Sequence, residues 1–153
     1  MAWLTAGALW LHVICASWWV LGCVTLAVAG AVVNADSVEG REFVARVVPK
    51  FNRANAFSAV ALLATGVVNL VAAGQRRQFE FSTTFAALMA SKFGLYLLMI
   101  GALAMSLRAE RFLRRESLPG LKSGGARLMV ACSAVAAVAG AAAMMLGVWL
   151  AGE

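Results

Sequence analysis

The chain has 153 residues, of which 63% are hydrophobic and only 13% charged. Soluble domains typically carry about 25% charged residues, so composition excludes an ordinary water-soluble domain. The net charge is +6. In so apolar a chain the basic residues report membrane topology before any nucleic-acid partner, and none is expected.

Apolar runs of roughly 20 residues or more read as membrane spans. There are four such runs, at about residues 2–33, 51–73, 85–107 and 128–151. A chain of this length holds one domain, here residues 1–153 as a single bundle. The expected fold class is an all-α membrane protein, an antiparallel four-helix transmembrane bundle.

The first span has no charged or titratable polar side chain except His12, the only histidine in the chain. Its length predicts that it tilts or protrudes. It lacks a basic start and is too long for a cleavable signal peptide. At about 100° per residue, His12, Cys15, Trp19, Gly22 and Cys23 share one stripe. Polar side chains at that depth usually face a bundle interior and mark function. The alternative for His12 is a plain hydrogen bond to a neighbouring helix. Cys15 and Cys23 share a helix and Cys132 lies in another apolar run, so no disulfide is expected.

Asn34, Ala35 and Asp36 break the run. Residues 36–50 read as a loop with helical character, in which Asp36 and Glu39 resemble a capping box. Val38, Phe43, Val44, Val47 and Val48 suit the interface, with Arg41, Arg46 and Lys50 turned to water or headgroups. Pro49 suits the first turn of the next helix. In the second span Asn55, Thr65 and Asn69 interrupt small apolar residues, and such side chains commonly bridge helices for about 1 kcal/mol or less each. Arg76 and Arg77 follow, and Ser82, Thr83 or Thr84 can cap the third span.

Lys92 sits about two turns into that third span. A lysine at the centre of a span costs about 3 kcal/mol on insertion scales. Snorkelling towards the helix end competes with a role inside the bundle. Residues 108–127 form a basic segment with Arg108, Arg111, Arg114, Arg115, Lys122 and Arg127. Pro119-Gly120 and Gly124-Gly125 read as turns within it. The segment can meet anionic headgroups, beside its plain role as a topology signal. The fourth span is rich in alanine. Its Ala136 and Gly140, four apart, predict close helix packing. Met144 and Met145 near its end read first as packing.

The first and third loops hold ten Lys and Arg residues, and the opposite side holds Arg76 and Arg77. The positive-inside rule then puts both termini outside. That places the protein as a multi-pass chain of a bacterial inner membrane with periplasmic termini. His12, Cys15, Asn69, Lys92, Met144 and Met145 then fall at one level in the outer half.

These residues carry a resemblance. His12 with Trp19 and Gly22 resembles the first span of the copper-resistance D (CopD-like) membrane domain. Lys50-Phe-Asn-Arg53, leading into Ala64-Thr-Gly-Val-Val-Asn69, resembles its second. Ser91-Lys92-Phe-Gly-Leu95 with a basic exit at Arg108 resembles its third. The likeness covers roughly residues 8–115. Related HemJ-type proteins share a first-span histidine and a third-span lysine. The resemblance implies copper handling, with haem b as the other cofactor, and His12, Trp19, Asn69 and Lys92 around the ligand. A soft metal site would draw on His12, Cys15, Met144 and Met145, donors that suit Cu(I).

Three functions follow: a CopD-like protein handling copper or another small ligand, a non-catalytic accessory subunit of a larger membrane complex, and a haem-associated oxidoreductase. No catalytic residue is assigned. Serine, cysteine and carboxylate catalysis are set aside, since no acidic residue falls inside an expected span and no second histidine can act as base. Expected partners are lipids, other membrane subunits or further copies of the chain.

Overall fold

The structure is a computed structural model that describes residues 2–33, 37–76, 78, 82–115 and 121–151. All regular structure among the described residues is helical. Helix α1 covers Ala2–Val32, α2 Val38–Glu42, α3 Val48–Arg76, α4 Thr83–Arg115 and α5 Leu121–Ala151. Helices α1, α3, α4 and α5 are long and apolar enough to cross a membrane. The shortest of them, α3, has 29 residues, which at about 1.5 Å per residue exceeds the roughly 30 Å hydrocarbon thickness.

The helices run past the ends that hydropathy predicts. α4 continues to Arg115 and α5 begins at Leu121, so Gly124-Gly125 lies inside a helix and is not a turn. Arg, Glu, Ala and Leu are all good helix formers, so a change from apolar to charged residues need not end a helix. The expected break at Asn34, Ala35 and Asp36, the turn at Pro119-Gly120 and the side chains of Arg77, Arg114, Arg115 and Lys122 lie outside the described residues.

Residues 37–50 are wound into helix for most of their length and do not form a loop. Ser37 caps α2 by accepting from the Gly40 amide at 3.0 Å, so the cap falls on Ser37 rather than Asp36. Phe43–Val47 then forms a π-helical turn that runs straight into α3. Pro49 accounts for it. A proline cannot donate to the carbonyl four residues back, and its ring crowds that carbonyl. The chain widens by a residue just upstream, and the Val48 amide donates to the Phe43 carbonyl five residues back. A π-bulge is the usual form of such an insertion. The widened turn aims Val48 inward: it is fully buried with Leu26, Ala109 and Met129, and Phe43 packs against them. These two residues therefore serve the bundle and not the lipid interface.

Packing follows small residues. A Cβ on Gly30 would lie 2.8 Å from Val130, and one on Gly140 would lie 3.0 Å from Val20 and 3.3 Å from the Trp19 ring. α5 thus seats against α1 at glycines, as the Ala136–Gly140 spacing predicts. Contacts pair rising numbers on one helix with falling numbers on the next. His12 meets Thr65 and Cys23 meets Asn55 between α1 and α3. Lys92 approaches Gly147 and Met99 approaches Gly140 between α4 and α5. The bundle is apolar outside and mixed inside. Val13, Ile14, Phe57, Val60, Phe93 and Val138 are exposed, while Asn52, Asn55, Ser58, Thr65, Ser106 and Ser133 are buried.

Candidate functional site

The α1 stripe faces inward throughout. His12 is half-buried, and Cys15, Trp19, Gly22 and Cys23 are buried. Two polar groupings are built upon this stripe, one towards each end of the bundle.

The first centres on His12. Its Nδ1 lies 2.8 Å from Thr65 Oγ1 on α3. Thr65 Oγ1 itself lies 2.7 Å from the Ala61 carbonyl oxygen. A carbonyl only accepts, so the single hydroxyl hydrogen of Thr65 is committed to it. With that hydrogen on the carbonyl, the 2.8 Å contact reads as His12 Nδ1–H donating to Thr65, the tautomer in which Nε2 keeps the lone pair that ligates a metal or accepts a proton. Thr65 therefore orients the imidazole, much as an outer partner orients a metal-ligating histidine. Gly66 keeps room beside the ring: a Cβ there would stand 3.6 Å from His12 Cε1.

Lys92 reaches into the same region from α4. Its Nζ lies 3.0 Å from the position a Gly147 Cβ would occupy, so the side chain crosses towards α5 instead of running to lipid. The glycine is what admits it. Gly147 lies two turns beyond Gly140, which meets Trp19 and Val20 on α1, so the ammonium comes to the level of His12 along the bundle. Among the described residues it has no hydrogen-bond or ion-pair partner.

The other expected site residues are placed less uniformly. Asn69 is half-buried, one turn beyond Thr65. Cys15 and Trp19 lie in the central core with Leu62, Met99 and Ala136. Met144 is half-buried, whereas Met145 is 76% exposed and turned away from the bundle. Among the described residues, no three His, Cys, Asp or Glu side chains come together to hold a metal.

The second grouping was not expected from the sequence. Asn52 Nδ2 donates to Glu110 Oε2 at 2.7 Å, and Ser106 Oγ donates to Asn52 Oδ1 at 3.3 Å. Asn55 Nδ2 donates to Cys23 Sγ at 3.6 Å. Glu110 thus lies in α4, near the end of the apolar stretch Thr83–Phe112 and beyond residue 107, where the span was expected to end. The usable signal was on α3, where Asn52, Asn55, Leu62 and Thr65 recur at helical spacing on one face. Two wholly buried atoms here lack partners, Trp19 Nε1 and Asn55 Oδ1.

No protein-family model matches the chain, and no characterised protein or solved structure matches it either.

Proposed function

We propose that this is an integral membrane protein of the CopD-like type that binds a small ligand between its helices at His12 and Lys92. In this reading the bundle is antiparallel, sits in a bacterial inner membrane with both termini periplasmic, and holds the site in its outer half. What supports the reading is an ammonium without a partner among the described residues, turned into the bundle against Gly147, and an imidazole oriented by Thr65 at the same level. A charged group held between helices is costly and is generally compensated. An anionic ligand supplies that compensation.

Copper as cargo draws on His12 Nε2, with Cys15 and Met144 as the softer donors. A bare cuprous ion meets the Lys92 charge, so a small anion or an anionic metal complex suits the pair better. Haem b is such a complex, but one chain offers it a single imidazole. The accessory-subunit reading rests on a different observation. Gly94 and Gly101 on α4 are exposed and have nothing within 4 Å of a built Cβ, a small-residue face that suits docking of another membrane helix.

Purified protein tests these readings together. Copper is measured by elemental analysis, haem by its Soret band, and anions by the shift in melting temperature they produce. Binding that is lost in both His12→Ala and Lys92→Met, with the fold retained, supports the proposal. Protein that binds none of the three ligands favours the accessory subunit.

A further inference from the structure

Beside the second polar grouping is a small pocket with about 10 Å³ of space, lined by Trp19, Cys23, Asn52, Asn55, Ser106 and Ser133 among others. That is about the smallest space that admits one water molecule. Both unpartnered buried atoms of the described residues, Trp19 Nε1 and Asn55 Oδ1, belong to residues of its lining. Their residues are 1% and 2% exposed.

The two atoms are opposite in kind. An indole N–H only donates, and an amide oxygen only accepts. A cation in the cavity would satisfy Asn55 Oδ1 and repel the indole hydrogen. An anion would do the reverse. An apolar filling would satisfy neither. Only a small neutral molecule that both accepts and donates answers both.

We propose that this cavity is a binding site for one such molecule, a water, which accepts from Trp19 Nε1–H and donates to Asn55 Oδ1. The site joins α1 to α3. Gly22 leaves room for Asn55, because a Cβ there would lie 2.8 Å from Asn55 Oδ1 and displace the acceptor. Through Asn52 and Ser106, which share the lining, the water extends the Glu110–Asn52 hydrogen bond deeper into the bundle. This inference is independent of what binds at His12 and Lys92.

The test is indole NMR of the intact protein in nanodiscs with ¹⁵N-labelled tryptophan. Trp19→Phe assigns the Trp19 signal by its loss. Should that variant fail to fold, replacing Trp3, Trp10, Trp18 and Trp149 by Phe leaves Trp19 as the only indole; those four are 90%, 69%, 49% and 61% exposed, so the core is untouched. The expected result is a dipolar cross-peak between the Trp19 indole hydrogen and a long-lived water, which disappears in Asn55→Leu. The absence of a dipolar cross-peak, or one arising only from exchange with bulk water, overturns the proposal.

Discussion

His12 shows how much one hydroxyl can decide. Thr65 commits its hydrogen to Ala61 and so forces the imidazole to donate from Nδ1. Thr65→Val removes that acceptor. The variant should lose on the order of 1–3 kcal/mol, the usual cost of stranding a buried polar group, and should release the tautomer. Because the chain has one histidine, its ¹⁵N spectrum reads the tautomer without overlap. Parent protein should show Nδ1 protonated and Nε2 bare, and Thr65→Val a mixture. Identical spectra would remove Thr65 from the site. Lys92 makes a second prediction of opposite sign. Replacing a buried charged group by an apolar one of similar volume is often neutral or stabilising, by about 1–4 kcal/mol. Lys92→Met should therefore raise the melting temperature in the absence of ligand while abolishing ligand binding. A clear fall in melting temperature would mean that the ammonium already has a stabilising partner. The α1 stripe that carries His12 was legible in the sequence, because a single histidine in a run without acidic or other basic residues is conspicuous. Asn52 and Glu110 were not, because each stands next to basic residues where a helix seemed to start or end.

At the scale of the helix, glycines separate into two groups that sequence alone does not distinguish. Gly22, Gly30 and Gly140 are contact points where a Cβ would come within 2.8–3.0 Å of a neighbour, whereas Gly94 and Gly101 have open space around them. Overpacking a tight contact typically costs about 1–3 kcal/mol. A helix glycine replaced by alanine in open space gains roughly 0.5–1 kcal/mol from lower backbone entropy. Thermal unfolding in detergent should thus fall for Gly22→Ala and Gly140→Ala and hold or rise for Gly101→Ala. Equal effects at the three positions would contradict the packing described. The spacing of Ala136 and Gly140 announced a close helix contact, since small residues four apart leave a groove on any helix, but not that α1 is the partner. The π-helical turn before Pro49 was not foreseeable in the same way. Pro49 announces a helix start, and only the packed position of Val48 shows that the preceding turn remained wound.

At the scale of the molecule, the distribution of side chains inverts that of a soluble bundle. Large apolar residues cover the outside, and inside, alanine, serine and asparagine pack among a few large side chains such as Trp19, Leu26 and Met129. Lipid is as apolar as leucine, so burying leucine yields little there, and close contact of small residues with interhelical hydrogen bonds holds the helices together. Composition and run length reveal this inversion directly, which is why four spans were legible. Which side each end faces depends on charge. Arg46, Lys50, Arg53, Arg108, Arg111 and Arg127 are all exposed, and lie near the junctions of α1 with α3 and of α4 with α5. Arg76 ends α3 at the other end, and Arg77 is next in the sequence. Lys and Arg in short loops stay on the cytoplasmic side during insertion, so the α2 end should face the cytoplasm and the α3–α4 junction the periplasm. The three native cysteines are buried and can be replaced by alanine before labelling. A cysteine at Glu39, exposed on α2, should then react with an impermeant maleimide only in inverted vesicles, and one at exposed Gln78 only in right-side-out cells. The reverse pattern would turn the bundle over. His12 and Lys92 would then open towards the cytoplasm, and a periplasmic source for their ligand would be ruled out.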